Sequence, residues 1–116
     1  MSIKRIEPGP RMTQAVVHGN TVYLAGQIAA NLVPSVGKQT KQILGQIDKL
    51  LKAAGTSKAK LLTTNIWLTD IRSFAEMNEA WDAWVSPGNT PARATVQSTL
   101  ARPEALVEIM VTAALD

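Results

Sequence analysis

The chain has 116 residues, 46% of them hydrophobic and 18% charged, with a formal net charge of +3; this composition is that of one globular domain and excludes a disordered chain. No cysteine is present, which excludes disulfide staples, thiolate nucleophiles and cysteine metal sites. No apolar run approaches the roughly 20 residues of a membrane span, and the cations are scattered, with one Phe and one Tyr in the chain, so the basic patch with interleaved aromatics of a single-strand nucleic-acid binder is missing.

The opening "MSIKRIEPGP" has no apolar h-region and no small-residue cleavage site, which sets the expectation of a cytoplasmic protein. Ser2 to Ile6 reads as a first strand. "TQAVVHGNTVYLAGQIA" reads as two more strands around the turn His18-Gly19-Asn20, with Val22, Leu24 and Ile28 alternating against Thr21, Tyr23 and Gln27. His18, the only histidine, falls at that turn with no carboxylate close in sequence, so it reads as a solvated residue and not a catalytic base.

"NLVPSVG" is a loop. From about Lys38 to Ala54, the apolar positions Ile43, Ile47, Leu50, Leu51 and Ala54 fall on one helical face, and Gly55 supplies the stop. "AKLLTTNIWLTD" reads as a strand, apolar on the Leu62, Ile66, Leu68 side and mixed on the Leu61, Thr63, Asn65, Trp67 side. Ser73-Phe-Ala-Glu76 has the form of a capping box, opening a helix that puts Phe74, Met77, Trp81 and Trp84 on a core-facing stripe and ends at Ser86-Pro87-Gly88. Two strands follow, "ARATVQSTL" (92 to 100) and "ALVEIMVTAAL" (105 to 115). The order β-β-β-α-β-α-β-β over residues 1–116 predicts a single α+β domain, a mainly antiparallel sheet with two helices on one face.

Two helices cover one side of such a sheet. In the last strand, Val107, Ile109, Val111 and Ala113 form a wholly apolar set that should meet them, while Leu106, Glu108, Met110 and Thr112 form a mixed set. A face mixing Trp67, Met110, Thr63 and Asn65 suits a subunit interface better than bulk water. Alternation assigns Arg93 and Glu108 to this mixed face. They are either an exposed cross-strand ion pair of little energetic weight or the lining of an interfacial cleft, where a guanidinium holds a carboxylate and a glutamate positions a water.

The stretches "GNTVYLAGQI", "QTKQILGQIDKLLKAAG", "TTNIWLTDIRSFAEMNEAWDAW" and above all "PARATVQ" followed by "LVEIMVTA" resemble the Rid family (reactive intermediate deaminases, also called YjgF-like), with the greatest likeness to its YoaB-like branch. The resemblance covers nearly the whole chain. It implies a chorismate-mutase-like fold assembled as a homotrimer, with the sheets forming a central barrel and three clefts between subunits. It also implies hydrolysis of reactive imines and enamines to a 2-oxo acid and ammonia, with no metal or organic cofactor. On this resemblance Arg93 is the carboxylate-binding arginine and Glu108 the water-positioning glutamate, with Gly26, Asn78, Thr95 and Met12 at further substrate-contacting positions. Met12 and Thr95 stand where many RidA-branch members carry a tyrosine and a cysteine. The competing expectation is a non-catalytic binder of 2-oxo acids or other small carboxylates anchored by Arg93. A ribonuclease or translation inhibitor is disfavoured, because His18 lacks a partner.

Overall fold

A computed structural model describes residues 2–116. Six strands and two helices follow in the expected order: β1 (Ile3–Pro8), β2 (Thr13–His18), β3 (Thr21–Leu24), α1 (Val36–Ala54), β4 (Leu61–Leu68), α2 (Phe74–Trp84), β5 (Ala92–Gln97) and β6 (Val107–Ala114). The strands form one sheet in the order β1-β2-β3-β6-β4-β5. Every neighbouring pair is antiparallel except β4 and β5, which run parallel with α2 as their crossover, so the sheet is mixed. The α+β class with two helices is as expected.

Local chemistry explains the element ends. The β2–β3 hairpin pairs His18 with Thr21, and Gly19 takes the positive φ of 61° that the two-residue turn needs. Helix α1 starts two residues before the periodicity suggested, because the Ser35 hydroxyl accepts from Lys38 N at 3.2 Å. It stops at Gly55, which sits at φ 94° and returns its N–H to the last carbonyls of the helix.

The core lies between the helices and one sheet face. Ile43, Leu44, Ile47 and Leu51 of α1 are essentially inaccessible, as are Val107, Ile109, Val111 and Ala113 of β6. Each such aliphatic side chain contributes about 1.5–3 kcal/mol relative to exposure. The mixed set of β6 stays half-buried, and Tyr23, Leu62 and Val96 on the uncovered side are each nearly half exposed.

Three expectations are corrected. First, Leu62 is exposed and Leu61 buried, because an irregularity between Leu61 and Thr63 shifts the phase of β4; downstream, Thr64, Ile66 and Leu68 form the inward row. Second, Ser73 does not cap α2. It is the last residue of a 3-10 turn (Ile71–Ser73) that Asp70 caps, and its own φ/ψ of −82°/6° lies outside the extended region a capping side chain requires. Glu76 instead reaches α1, where its carboxylate accepts from Gly37 N at 2.9 Å. The first turn of α1 has no acidic residue of its own, so Glu76 supplies the negative charge favoured at that end. Third, Met77 and Trp81 are buried but Phe74 is 42% exposed, so the α2 stripe is only partly core.

Candidate functional site

The strand register separates the two central residues. Arg93 pairs with Thr64, which on its other side pairs with Val111; Glu108 pairs with Trp67, which pairs with Val96. Side chains of directly paired residues share a face. Arg93 therefore lies on the helix-covered face and Glu108 on the uncovered one, which corrects the expectation that both occupy the mixed face and removes the cross-strand ion pair. The six residues singled out from sequence fall into two groups.

The first group is Arg93, Thr95 and Asn78. Edge strand β5 carries Arg93 beneath α2, with its guanidinium carbon 5.2 Å from the Trp81 ring centroid and 5.8 Å from that of Phe74. A weakly hydrated planar cation suits these rings. Burial pushes the Arg93 pKa below its ordinary value, opposed by the charge of Asp82, and an arginine so placed remains a cation. Among the described residues no carboxylate lies within 4.0 Å of it, since the one ion pair is Arg72–Asp70. Thr95 Oγ1 and Asn78 Oδ1 are buried without a hydrogen-bond partner, as is Thr64 Oγ1 on the residue paired with Arg93. Orphaned buried polar atoms are costly. These three atoms lie on the side of the sheet that carries the guanidinium, a group with five donors.

The second group is Glu108, Gly26 and Met12, which line a cleft of about 580 Å³. Glu108 packs directly over Gly26: a Cβ on Gly26 would overlap Glu108 Oε2 and lie 3.1 Å from its Cδ. Glycine leaves room there for the Glu108 carboxylate in its observed place and serves no unusual backbone angle. Met12 is 48% exposed. Sequence reasoning did not assign to this cleft five further polar residues, Glu7, Gln14, Gln27, Gln46 and Lys49. Glu7 has a φ of 52°, a conformation that costs a non-glycine residue about 1–2 kcal/mol.

Chemically, the first group can hold a planar anion and the second can place a carboxylate against a bound water. His18 is exposed on the hairpin at the opposite end of β3 from Gly26, paired with Ile3 and Thr21, and offers no nuclease pair. Among the described residues no group of three or more His, Asp or Glu side chains is arranged to hold a metal ion. Among the described residues no helix is long and apolar enough to cross a membrane.

Residues 2–115 match the family model described as endoribonuclease L-PSP. The chain is 43% identical over 115 residues to the RutC family protein YoaB of Escherichia coli K12, covering 99% of this chain and 100% of that one. It is 37% identical over 91 residues to a 2-iminobutanoate/2-iminopropanoate deaminase of Rattus norvegicus, covering 73% of this chain and 66% of the relative. In three dimensions it superimposes on a crystal structure of a YjgF-family member from Neisseria meningitidis with a TM-score of 0.97 at 42% identity, covering 100% of this chain and 97% of the other.

Proposed function

The chain belongs to the endoribonuclease L-PSP family, the YjgF or Rid proteins, and from that premise we propose that it hydrolyses reactive 2-imino acids, or their enamine tautomers, to 2-oxo acids and ammonia. The observation that carries this reading is the division of the site between the two sheet faces. An unpaired arginine with orphaned polar neighbours is half of a carboxylate site, and the Glu108 cleft is half of a hydrolytic one. Stacking the uncovered face of one chain on a second copy completes both, in a homotrimer whose clefts lie between subunits. The exposed Tyr23, Leu62 and Val96 support such a contact.

In this arrangement the Arg93 fork binds the α-carboxylate through two parallel hydrogen bonds, which fixes the neighbouring imine carbon. The Glu108 carboxylate of a second copy takes a proton from water as the oxygen adds to that carbon. That proton passes to nitrogen to give a carbinolamine, whose hydroxyl then yields its own proton to the same nitrogen by way of the carboxylate; the C–N bond breaks as the carbonyl forms, and ammonia leaves. Each turnover consumes one water, and the protein acts by placement and proton transfer.

The rat relative named as an imino acid deaminase supports this chemistry. A carboxylate-binding protein without turnover would use Arg93 alike, and one experiment separates the two. An amino-acid oxidase generates imines from a panel of amino acids, and semicarbazide traps whatever survives. The chain is expected to lower semicarbazone formation for a subset of the panel, and Glu108→Gln to abolish that effect while retaining 2-oxo acid binding. An unchanged semicarbazone yield across the whole panel refutes the deaminase reading.

A further inference from the structure

Helix α1 carries glutamines at 39, 42 and 46, spaced i, i+3 and i+7 on one face. A carboxamide has the same acceptor and donors as a peptide unit, so it can pair with an irregular backbone as a strand would. All three do so. Gln42 pairs with both backbone groups of Asn31, at 2.9 and 2.8 Å. Gln39, fully buried, donates to Val33 O at 2.7 Å and Glu104 O at 3.0 Å and accepts from Leu106 N at 2.9 Å. Gln46 accepts from Ala30 N at 3.0 Å and donates to Ile28 O at 3.0 Å and Gln27 Oε1 at 3.2 Å.

The contacts of Gln39 and Gln46 lead to the backbone on either side of Glu108. Gln27 is 7% exposed; its side chain passes the Gln46 contact on to Gln14 at 2.9 Å, and its backbone exchanges two hydrogen bonds with Ile109, at 2.8 and 3.1 Å. Glu108 thus stands between Leu106, held by Gln39, and Ile109, held by Gln27. Its carboxylate rests on Gly26, the residue before Gln27. We infer that Gln46, acting through Gln27, is a positioning residue for Glu108, fixing the Gly26–Ile28 wall against which the carboxylate is presented. The backbone partners of Gln46 fix the polarity it needs: an oxygen toward Ala30 N and a nitrogen toward Ile28 O.

The inference rests on the deaminase reading, and its test separates the two. Gln46→Met keeps the length of the side chain and removes every bond; Gln46→Glu keeps the acceptor and sets oxygen against oxygen at Ile28. Thr56→Val, which removes a hydroxyl bond to Ala114 O outside the cleft, serves as a control for simple destabilisation. Both Gln46 variants are expected to lose about 10- to 100-fold in imine turnover, the scale of an ångström-level displacement of a reacting group, while binding 2-oxo acid within about threefold of the parent. The Glu108 carboxyl resonance, followed by 13C NMR in unmodified chain and Gln46→Met, should move, and amide exchange at Ala30 should quicken. Parent-rate turnover in either folded variant overturns the inference, as does a loss matched by Thr56→Val at equal loss of thermal stability. If the unmodified chain hydrolyses no imine, the deaminase reading falls, and the NMR comparison still decides the positioning: an unmoved Glu108 resonance overturns it.

Discussion

Replacing Arg93 by lysine and by alanine distinguishes a substrate clamp from a structural cation. The structural role is measurable: the guanidinium lies over two rings, at 5.2 and 5.8 Å from their centroids, and each contact is worth about 0.5–1 kcal/mol at a partly exposed site. Arg93→Ala should therefore cost about 1–2 kcal/mol of stability, or roughly 3–12 °C in Tm for a domain of this size. Arg93→Lys keeps a cation over the rings and should cost less than half as much. The clamp follows the opposite pattern. An ammonium cannot reproduce two parallel hydrogen bonds to a carboxylate, so both variants should lose about 2–5 kcal/mol in transition-state binding, or about 30- to 5,000-fold in kcat/KM. Imine clearance, 2-oxo acid calorimetry and thermal melting on the three proteins provide the comparison. Arg93→Lys with parent activity, or activity that falls only in step with Tm, refutes the clamp.

Gly26→Ala should leave the fold intact, because the added methyl meets only the end of the flexible Glu108 side chain, yet lower turnover by about 10- to 100-fold as the carboxylate is pushed aside; a parent-like rate would show that Glu108 does not act from its observed position. Mixing Arg93→Ala with Glu108→Gln chains under subunit exchange should restore about one quarter of the sites, each taking Arg93 from one copy and Glu108 from another. No recovery in demonstrably mixed oligomers would place the site within one chain. Light scattering should give the mass of three 12.5 kDa chains, and Val96→Asp on the uncovered face should shift it toward one; a monomeric parent at micromolar concentration ends the interfacial reading.

The core was legible because its signals are periodic. Ile43, Ile47 and Leu51 repeat with the helix, and Val107 to Ala113 alternate with the strand, so burial follows from spacing alone. The face of Arg93 was not legible. Alternation in β5 yields two sets, and composition favours placing Ala94 and Val96 inward; the register puts Val96 outward at 48% exposure and covers the arginine with aromatic rings of α2. In the proposed assembly Val96 meets a second copy and Arg93 a substrate, two roles that would invert the usual inside-outside preference. Leu62 misled for a smaller reason, since one irregular residue in β4 reverses every parity before it. Glu76 found a donor 39 residues away in sequence, which no local motif records. The spacing of Gln39, Gln42 and Gln46 places them on one line of α1, but nothing local to the helix names the loop backbone they bond.

The position of β6 in the sheet has a consequence for how the molecule forms. This strand is the last in chain order, yet it sits between β3 and β4 and, among the described residues, joins the β1–β3 meander to the parallel β4–β5 pair. Until it inserts, two half-sheets have no common hydrogen-bonded edge, and Val22 and Leu24 on one side and Ile66 and Leu68 on the other lack the strand that completes their layer. Closure must therefore wait for pairings distant in sequence, which makes it slow relative to helix formation. On a ribosome the earlier elements emerge with their apolar rows uncovered, the stage at which chaperone engagement is most useful. Once β6 docks, the sheet, the core and the strand bearing Glu108 become fixed in one event, so unfolding should proceed as a single cooperative transition with no stable half-molecule.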